Sequence, residues 1–244
     1  MQIIAAIPAR GGSKFVPQKN IRNIGGHPLI TYTIAIAKMS KIIERVIVST
    51  DSSEIANIAK KYGAEVPFIR PSEFAQDDSG DFEWLEHLIN YLEKKEDKSV
   101  EYLVHLRPTT PFRKIGVVDE GINYILKNPQ ATSLRSVSPT PQPPHKIFKM
   151  EGLYLKGFFD KDPRPEYYNL PRQTFPQTYV PNGYVDVVRA SAIKNKLIHG
   201  DKMLGFITDT VPDIDDESDF NNATKVLSEK RFDPLMEFIK EHYD

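Results

Sequence analysis

The chain contains no cysteine among its 244 residues. This absence excludes disulfide bridges and metal sites built from thiolates. No apolar stretch is long enough to cross a bilayer, so we expect no membrane-spanning segment. Residues 1–8 lack the basic start and the long apolar run of a signal peptide, and their pattern indicates a β-strand instead. We therefore expect a cytoplasmic protein that does not associate with a membrane.

An excess of charge of one sign is missing as well. The 32 basic and 33 acidic side chains leave a formal net charge of -1 at pH 7. This balance gives no general attraction to nucleic acid or to an anionic membrane, and we expect neither as a partner. A chain of this length can bury a substantial core, so we interpret residues 1–244 as a single domain.

Short apolar segments rich in valine and isoleucine alternate with helical patterns along the chain. This order predicts an α/β fold with a mostly parallel twisted sheet and helices on both faces, a Rossmann-like arrangement. The strands are predicted at residues 3–7, 45–49, 66–69, 102–106, 132–137, 184–188 and 204–207. One helical face is predicted from the spacing of Ile115, Val118, Ile122 and Ile125. Ligands of such sheets bind beyond the carboxyl ends of the strands.

The segment 138–181 interrupts this alternation. It holds nine prolines and eight aromatic residues. Flexible linkers are poor in aromatic residues. We therefore predict an inserted arm that packs either on the body of the protein or on a second subunit.

A basic, glycine-rich loop follows the first predicted strand. It combines two adjacent glycines, a hydroxyl group and three cations, namely Gly11, Gly12, Ser13, Arg10, Lys14 and Lys19. Glycines let backbone amides approach an anion closely, and a guanidinium group matches the geometry of phosphate. The loop is neither a Walker A motif nor a Gly-x-Gly-x-x-Gly motif. The pattern favours a phosphate-binding loop, with a solvated basic turn as the alternative.

An acidic segment precedes the last helical pattern. Asp213 and Asp215 are two residues apart, so in an extended chain their carboxylates point to the same side and can form an oxygen site for Mg²⁺. Helix capping is the alternative for such a cluster, and we assign that role to Asp216, Glu217 and Asp219.

Three further groups of polar residues have positions that suit a ligand. Arg107, Thr109 and Thr110 follow a buried strand, whereas Arg70, Ser79 and Asp81 lie between the third strand and a helix. Lys146, Arg172 and Gln173 lie in the arm and could hold a carboxylate. The alternatives are a structural turn, a helix cap at Asp78 or Ser79, and a solvated surface, respectively.

The motifs together resemble a known family. Ala-Arg-Gly-Gly-Ser-Lys at 9–14, with Pro-Gln-Lys-Asn at 17–20, is similar to the signature loop of the acylneuraminate cytidylyltransferases, which are the CMP-sialic acid synthetases and their relatives. Six more segments match in the same order, at 49–51, 70–71, 108–111, 171–173, 181–183 and 213–215. The resemblance extends from about residue 1 to about residue 230.

The resemblance implies a nucleotidyltransferase that couples CTP to a nonulosonic, sialic-acid-like 2-keto sugar acid, with Mg²⁺, and releases a CMP-sugar and pyrophosphate. It also implies a homodimer in which the arm at 138–181 serves dimerisation and covers the sugar site. The implied nucleotide site is Ala9, Arg10, Gly11, Gly12, Ser13, Lys14, Lys19, Asn20, Arg70, Ser79 and Asp81. The implied sugar site is Arg107, Thr109, Thr110, Lys146, Arg172, Gln173 and Asn182. Asp213 and Asp215 would bind the metal, and the implied catalytic residues are Arg10, Lys19 and Asp215.

The chain departs from the family pattern at several positions. Phe15, Asp81, Arg107 and the pair Leu197-Ile198 differ from the residues common in sialic acid enzymes. The sugar is therefore left open, and an arginine at position 107 would suit an anionic or hydroxyl-rich substituent. The alternatives are a guanylyl- or uridylyltransferase acting on a sugar phosphate, a metal-dependent glycosyltransferase, and a non-catalytic nucleotide-binding module.

Overall fold

The computed structural model describes residues 2–13, 16–97, 99–229 and 232–243. Its centre is a six-stranded sheet with the order β10-β6-β9-β5-β1-β4. The strands of this sheet are β1 (Gln2–Pro8), β4 (Arg45–Ser49), β5 (Val100–His105), β6 (Ser133–Pro139), β9 (Tyr179–Arg189) and β10 (Met203–Ile207). Two small antiparallel hairpins are formed by β2 (Asn23–Ile24) with β3 (His27–Pro28), and by β7 (Phe148–Glu151) with β8 (Tyr154–Gly157).

The direction of the strands confirms the predicted, mostly parallel sheet. β4, β1 and β5 are parallel to one another, and β6 is parallel to β10. β9 is antiparallel to both β5 and β6 and lies between them, so five strands of the sheet run one way and β9 runs the other way. The carboxyl ends of the five strands and the amino end of β9 therefore share one edge of the sheet.

Helices cover both faces of the sheet, as predicted. The helices are α1 (Leu29–Met39), α2 (Ser53–Lys61), α3 (Asp81–Lys95), α4 (Val117–Leu126), α5 (Ala190–Lys194), α6 (Glu217–Leu227) and α7 (Asp233–Tyr243). Alternate residues of a strand point to opposite faces. In β1, Ile3, Ala5 and Ile7 accordingly pack with α1, α2, α4, α6 and α7, whereas Ile4 and Ala6 pack with α3 and α5.

The prediction of a strand at residues 66–69 is wrong. The segment runs beside β4, but only Glu65 forms a bridge, with Ile47. Pro67 has no amide hydrogen and cannot donate to a sheet ladder. After Glu65 the chain returns to the sheet edge only at Arg70, whose amide donates to the carbonyl of Thr50 at 2.7 Å.

The helix boundaries agree with some capping predictions and correct others. Ser52 caps α2 through a bond from the amide of Ile55, and Asp216 caps α6 in a capping box with Asp219. The predicted caps at residues 78 and 79 are wrong, because α3 starts at Asp81 after Gly80, which has no side chain to cap with. Ile115 lies before α4 rather than on its buried face, and its side chain is 44% exposed.

The arm is an extension of two sheet strands. The ladder between β6 and β9 continues to the pair Pro139 and Tyr179. Beyond that pair the chain forms the hairpin of β7 and β8 and three short 3-10 turns. His145 packs between Phe159 and Phe175 with ring centroids 4.5 Å away on each side, which gives the arm its own aromatic core. Because the arm leaves at the carboxyl end of β6, it stands at the same edge as the other strand ends.

None of the helices in the described ranges combines the length and the apolar character that crossing a bilayer requires.

The packing of α4 predicts a difference between two isoleucines. Ile122 is fully buried against the sheet, whereas Ile115 is 44% exposed. Ile122→Ala should lower the free energy of unfolding by about 2–5 kcal/mol, since it removes core contacts and leaves a cavity. Ile115→Ala should lower it by less than about 1 kcal/mol. Urea denaturation of both variants measures the difference, and equal losses would contradict the placement of α4.

Candidate active site

A cleft of about 610 Å³ opens at the edge where the strands end. Eleven of the residues predicted from the sequence as nucleotide, sugar or metal ligands line it. They are Arg10, Gly12, Ser13, Lys19, Asn20, Arg70, Ser79, Asp81, Arg107, Thr109 and Asp215. Their sequence positions extend over more than 200 residues, so the fold alone brings them together.

The loop after β1 forms one wall of the cleft. It is fixed by β4, because the amide of Ala9 donates to the carbonyl of Ser49 at 3.0 Å and the amide of Gly11 donates to Asp51 at 2.8 Å. The side chain of Asn20 donates to the carbonyl of Arg10 at 3.0 Å and closes the loop. The loop is therefore held in shape by hydrogen bonds that do not involve the side chains of its cations. The predicted ligand Lys14 lies outside the described residues.

The opposite wall begins at Arg70, which is buried. Its guanidinium donates to the hydroxyl and the carbonyl of Ser49 and lies 5.3 Å from the ring of Trp84. Burial lowers the pKa of Arg70 to about 10, so it stays charged at neutral pH. The Ser79 hydroxyl accepts from the amide of Gln76 and donates to the carbonyl of Glu73, and it thereby shapes the loop over the cleft.

Arg10 reaches across the cleft to this second wall. It donates to the carbonyl of Gln76 at 2.7 Å and forms an ion pair with Asp77 at 3.1 Å. A phosphate chain entering the cleft would compete with these contacts for the guanidinium. Arg10, which was predicted to bind phosphate, thus lies at the cleft and already forms an ion pair with Asp77.

The far end of the cleft carries a set of paired charges. Arg107 donates to Asp81 at 2.7 Å and to Asp186 at 3.1 Å. Asp81 also accepts from the indole of Trp84 at 3.0 Å. Asp81 and Arg107 line the cleft, whereas Asp186 lies behind them on β9 and is only 2% exposed.

The charge states of this set follow from burial and from Arg107. Burial would raise the pKa of Asp81, but the neighbouring His105 and Arg107 and the bond from Trp84 hold it at about 2. The pKa of His105 is lowered to about 4, first by burial and then by Arg107. His105 is therefore neutral at pH 7, and Arg107 is the cation that stabilises the Asp81 carboxylate there.

The acidic segment after β10 is fixed by its middle residue. Ile214 is fully buried, its amide donates to the carbonyl of Thr109 at 2.7 Å, and its carbonyl accepts from Lys19 at 3.0 Å. On either side of it, Asp213 accepts from the hydroxyl of Thr110 at 3.3 Å and Asp215 pairs with Lys19 at 3.2 Å. The loop after β5 thus positions both carboxylates, and Lys19 connects them to the phosphate loop.

Gly183, in the amino-terminal half of β9, allows this arrangement. It has φ of 68°, and a Cβ atom there would lie 2.7 Å from the hydroxyl of Thr110. Any larger residue would be strained and would displace the group that contacts Asp213.

The chemistry of the carboxylate pair fits Mg²⁺. Asp213 and Asp215 are exposed and offer hard oxygen donors, and Mg²⁺ in proteins is commonly held by one or two carboxylates together with water and substrate phosphates. In the part of the chain that the structure describes, no three histidine or acidic side chains form a complete metal cage.

Several predicted residues lie away from the cleft in one subunit. Lys146 donates to the carbonyl of Tyr168 within the arm, and Arg172 and Gln173 line a separate pocket of about 200 Å³ there. Asn182 donates to Ser138 and Thr208 and joins the ends of β6 and β10. Ala9 and Thr110 are fully buried. The structure does not bring the arm residues to the cleft of their own subunit.

Sequence reasoning missed the residues that set the electrostatics of the far end. Asp186 was overlooked inside a strand and Trp84 inside a helix. A signal was available for Asp186, because a lone carboxylate in the apolar segment 184–188 is rarely buried without a charged partner. Nothing in the sequence indicated that Arg107 would be that partner.

The low pKa of His105 predicts how stability depends on pH. The pKa of His105 is about 4 in the folded protein and about 6.5 in the unfolded chain. The contribution of neutral His105 to the free energy of unfolding is therefore fully present above pH 6.5 and is lost as the pH falls towards 4. His105→Gln should flatten the fall in the free energy of unfolding over that window, by up to about 1.4 kcal/mol per pH unit. Val104→Ala on the same strand should lower stability without changing the slope. Urea denaturation at a series of pH values measures this, and an unchanged slope in His105→Gln would show that the imidazole is not held neutral.

Comparison with known proteins identifies the family. Residues 4–167, more than half of the chain, match the model of a family described as Cytidylyltransferase. The N-acylneuraminate cytidylyltransferase of Escherichia coli is 32% identical over 232 residues, which cover 94% of this chain and 53% of that protein. The CMP-N,N'-diacetyllegionaminic acid synthase of Legionella pneumophila is 40% identical over 143 residues, which cover 58% of this chain and 59% of that protein. The chain thus spans little more than half the length of these two relatives.

A solved structure shares the fold. A CMP:2-keto-3-deoxy-manno-octonic acid synthetase complexed with CTP superimposes with a TM-score of 0.70 at 15% identity, covering 93% of this chain and 99% of that one. This likeness confirms the predicted nucleotidyltransferase-like α/β architecture. Together with the family match it confirms the resemblance seen in the motifs: the chain belongs to the cytidylyltransferase family, with the acylneuraminate cytidylyltransferases among its relatives.

Proposed function

We propose that the protein couples CTP to a nonulosonic 2-keto sugar acid and releases a CMP-sugar and pyrophosphate. The observation that carries this proposal is the contact of Lys19 with Ile214 and Asp215, which joins a phosphate loop to the Asp215 carboxylate in one cleft. The names of the relatives support the sugar class, since one acts on an N-acylneuraminate and another makes a CMP-legionaminic acid derivative. The proposal includes a cytoplasmic enzyme, because CTP is an intracellular nucleotide.

The side chains of the cleft have distinct tasks in this reaction. The anomeric hydroxyl of the sugar acid attacks the α-phosphorus of CTP, and pyrophosphate leaves in line with it. Arg10 and Lys19 neutralise charge on the leaving group, and catalysis rests on this positioning and charge stabilisation. Arg70 holds its guanidinium at the wall where the base would lie. One of its amino groups is 3.5 Å from the carbonyl of Phe74, which is a long and weak hydrogen bond, so this group can donate to the base.

Mg²⁺, which the resemblance implies, would be held by Asp213 and Asp215, and when bound it would screen the phosphate charges and make the sugar hydroxyl more acidic. Asp215 also orients Lys19, and in this proposal its second carboxylate oxygen accepts the proton of the hydroxyl.

The experiment that tests the proposal measures pyrophosphate release. The purified protein is incubated with Mg²⁺, each of CTP, UTP, GTP and ATP, and a panel of nonulosonic and octulosonic acids. Release with CTP and a nonulosonic acid is expected. Release only with GTP or UTP and a sugar phosphate, or no release in any combination, would contradict the proposal.

Two substitutions test the roles of the linked pair. Lys19→Ala and Asp215→Ala should each lower turnover by two orders of magnitude or more, because a lost charge contact in the transition state costs roughly 3–4 kcal/mol. Asp215→Ala should fold normally, since Asp215 is 72% exposed, whereas Lys19 is only 15% exposed, so circular dichroism is used to check that both variants are folded. Lys94→Ala, on an exposed turn of α3, is the control and should keep full turnover. Near-normal turnover in either active-site variant would refute its role.

We further propose that the protein is a homodimer joined through the arm. Ten of the sixteen large apolar side chains that are exposed in the described residues belong to the arm. Leu153 at 91%, Tyr154 at 79% and Leu155 at 65% are the most exposed. A monomer rarely presents so dense an apolar patch to water. A second copy that covers the patch could receive Lys146, Arg172 and Gln173 at its own cleft, where they would hold the sugar carboxylate.

Subunit mixing tests this shared site. Lys19→Ala and Arg172→Ala should each be nearly inactive, because the first lacks a residue of the cleft and the second a residue of the arm. When the two are mixed and allowed to exchange subunits, half of the dimers are mixed and carry one intact site out of two. About a quarter of the wild-type activity should therefore return.

The control is a mixture of Lys19→Ala with Asp215→Ala, whose lesions lie in the same cleft. In the mixed dimer each cleft still carries one lesion, so no activity should return. Recovery in this control, or none in the first mixture, would contradict an arm that completes the partner's site. Light scattering of the wild-type protein should independently give the mass of a dimer.

A further inference from the structure

Behind the far end of the cleft lies a row of polar side chains, on the face of the sheet that α3 and α5 cover. His105, Asp186 and Arg135 are direct neighbours on β5, β9 and β6. At the equivalent face further along these strands, Leu103 and Val188 are packed in the core under α3. Trp84 of α3 packs on His105 with ring centroids 5.1 Å apart, so the row is connected to the lining of the cleft through Arg107, which contacts Asp186.

The charges in this region cancel. Asp186 lies 3.1 Å from one amino group of Arg107 and 3.7 Å from the Nε of Arg135. Arg107 is also paired with Asp81 at 2.7 Å. Two carboxylates and two guanidinium groups therefore form a network without net charge, and His105 beside it is neutral at pH 7.

Asp186 is the central member of this network. It is 2% exposed, whereas the side chains of Arg107 and Arg135 are 27% and 29% exposed. Its Oδ1 atom has no hydrogen-bond partner among the described residues, and its ion pairs there are those of Oδ2 with the two guanidinium groups. Arg107 and Asp81 line the cleft, whereas Arg135 does not, so a ligand would meet Arg107 and Asp81, with Asp186 compensating Arg107 from behind.

We propose that Asp186 is a specificity-determining residue that acts through Arg107, so that this end of the cleft takes a sugar acid with an uncharged hydrogen-bonding substituent, a hydroxyl or an acylamino group, and rejects an anionic one. The guanidinium group of Arg107 donates hydrogen bonds and Asp81 accepts them, which suits an amide or a hydroxyl group that does both. An added carboxylate would meet an arginine whose charge is already compensated, and it would face Asp81, with Asp186 behind it, as well. The inference rests on the proposed function, because it names the substrate class of the same site.

The inference narrows what Arg107 suggests by itself. An unpaired arginine in a cleft suits an anionic or a hydroxyl-rich substituent, and the sequence left both open. With Asp81 and Asp186 in contact, the carboxylate that every such sugar acid carries has to be bound elsewhere. The cationic side chains of the arm are available for it.

Calorimetry with two sugar acids tests the proposal without turnover. The probes are N-acetylneuraminic acid and its analogue in which an N-succinyl group, bearing an extra carboxylate, replaces the N-acetyl group. The wild-type protein should bind the N-acetyl acid at least tenfold more tightly than the N-succinyl analogue. In Asp186→Asn, which keeps the shape but loses the charge, this ratio should fall at least tenfold. Asp201→Asn, on an exposed loop, should keep the wild-type ratio.

A second variant separates charge from structure. Asp186→Asn combined with Arg135→Gln is neutral again, so the preference for the N-acetyl acid should return towards the wild-type ratio. If Asp186 were merely structural, the double variant would be no more selective than the single one. An unchanged ratio in Asp186→Asn, a wild-type preference for the N-succinyl analogue, or binding of neither acid would overturn the proposal.

Steady-state kinetics separate a failure of the specificity inference from a failure of the proposed reaction. In Asp186→Asn, the KM for the sugar acid should rise about tenfold while the KM for CTP stays the same. Selective binding without pyrophosphate release from CTP would contradict the proposed reaction and leave the specificity inference supported. Release with an unchanged selectivity ratio would support the reaction and overturn the inference.

Discussion

The site depends on one fully buried guanidinium group, that of Arg113. It donates to the carbonyls of Arg107, Gly183 and Tyr184 and to the hydroxyl of Thr33. These partners belong to the loop after β5, to β9 and to α1. Burial lowers the pKa of Arg113 to about 9, which leaves it charged at neutral pH, and the carbonyl oxygens compensate that charge. One side chain thus fixes the loop after β5 to two other elements of the fold.

The rest of the cleft follows from this anchored loop. Its Thr109 and Thr110 hold the segment around Ile214, and this segment in turn positions Lys19 against the phosphate loop. The antiparallel strand β9 contributes Gly183 on one side of the loop and Asp186 on the other. Because β9 runs against its neighbours, its beginning lies at the edge where the other strands end. The arm enters at this edge for the same reason, since it connects the end of β6 to the start of β9.

The sequence was sufficient for the order of the elements and for much of the cleft, and insufficient for the pairing of its charges. Alternating valine-rich and amphipathic segments reflect burial within each element, so the strands and the two covered faces could be predicted. The segment 66–69 was wrongly predicted as a strand because its apolar residues suit a strand and a sheet edge equally, and the one signal against a strand, Pro67, was not used. Arg107 was singled out, but its partners Asp81 and Asp186 are 26 and 79 residues away, and only the fold shows that its charge is compensated. The role of the arm residues remains a prediction, because one subunit does not bring them to its own cleft.

The central claim is that one cleft, between the loop after β1 and the segment around Ile214, holds the nucleotide and its metal. The most direct measurement is a crystal structure of the protein with CTP and Mn²⁺ in place of Mg²⁺, with anomalous data to locate the metal. We expect the triphosphate beside Arg10 and Lys19 and the cytosine near Arg70. We also expect an anomalous peak within coordination distance of Asp213, Asp215 and a phosphate oxygen. A nucleotide bound elsewhere, or a metal peak away from both carboxylates, would contradict it.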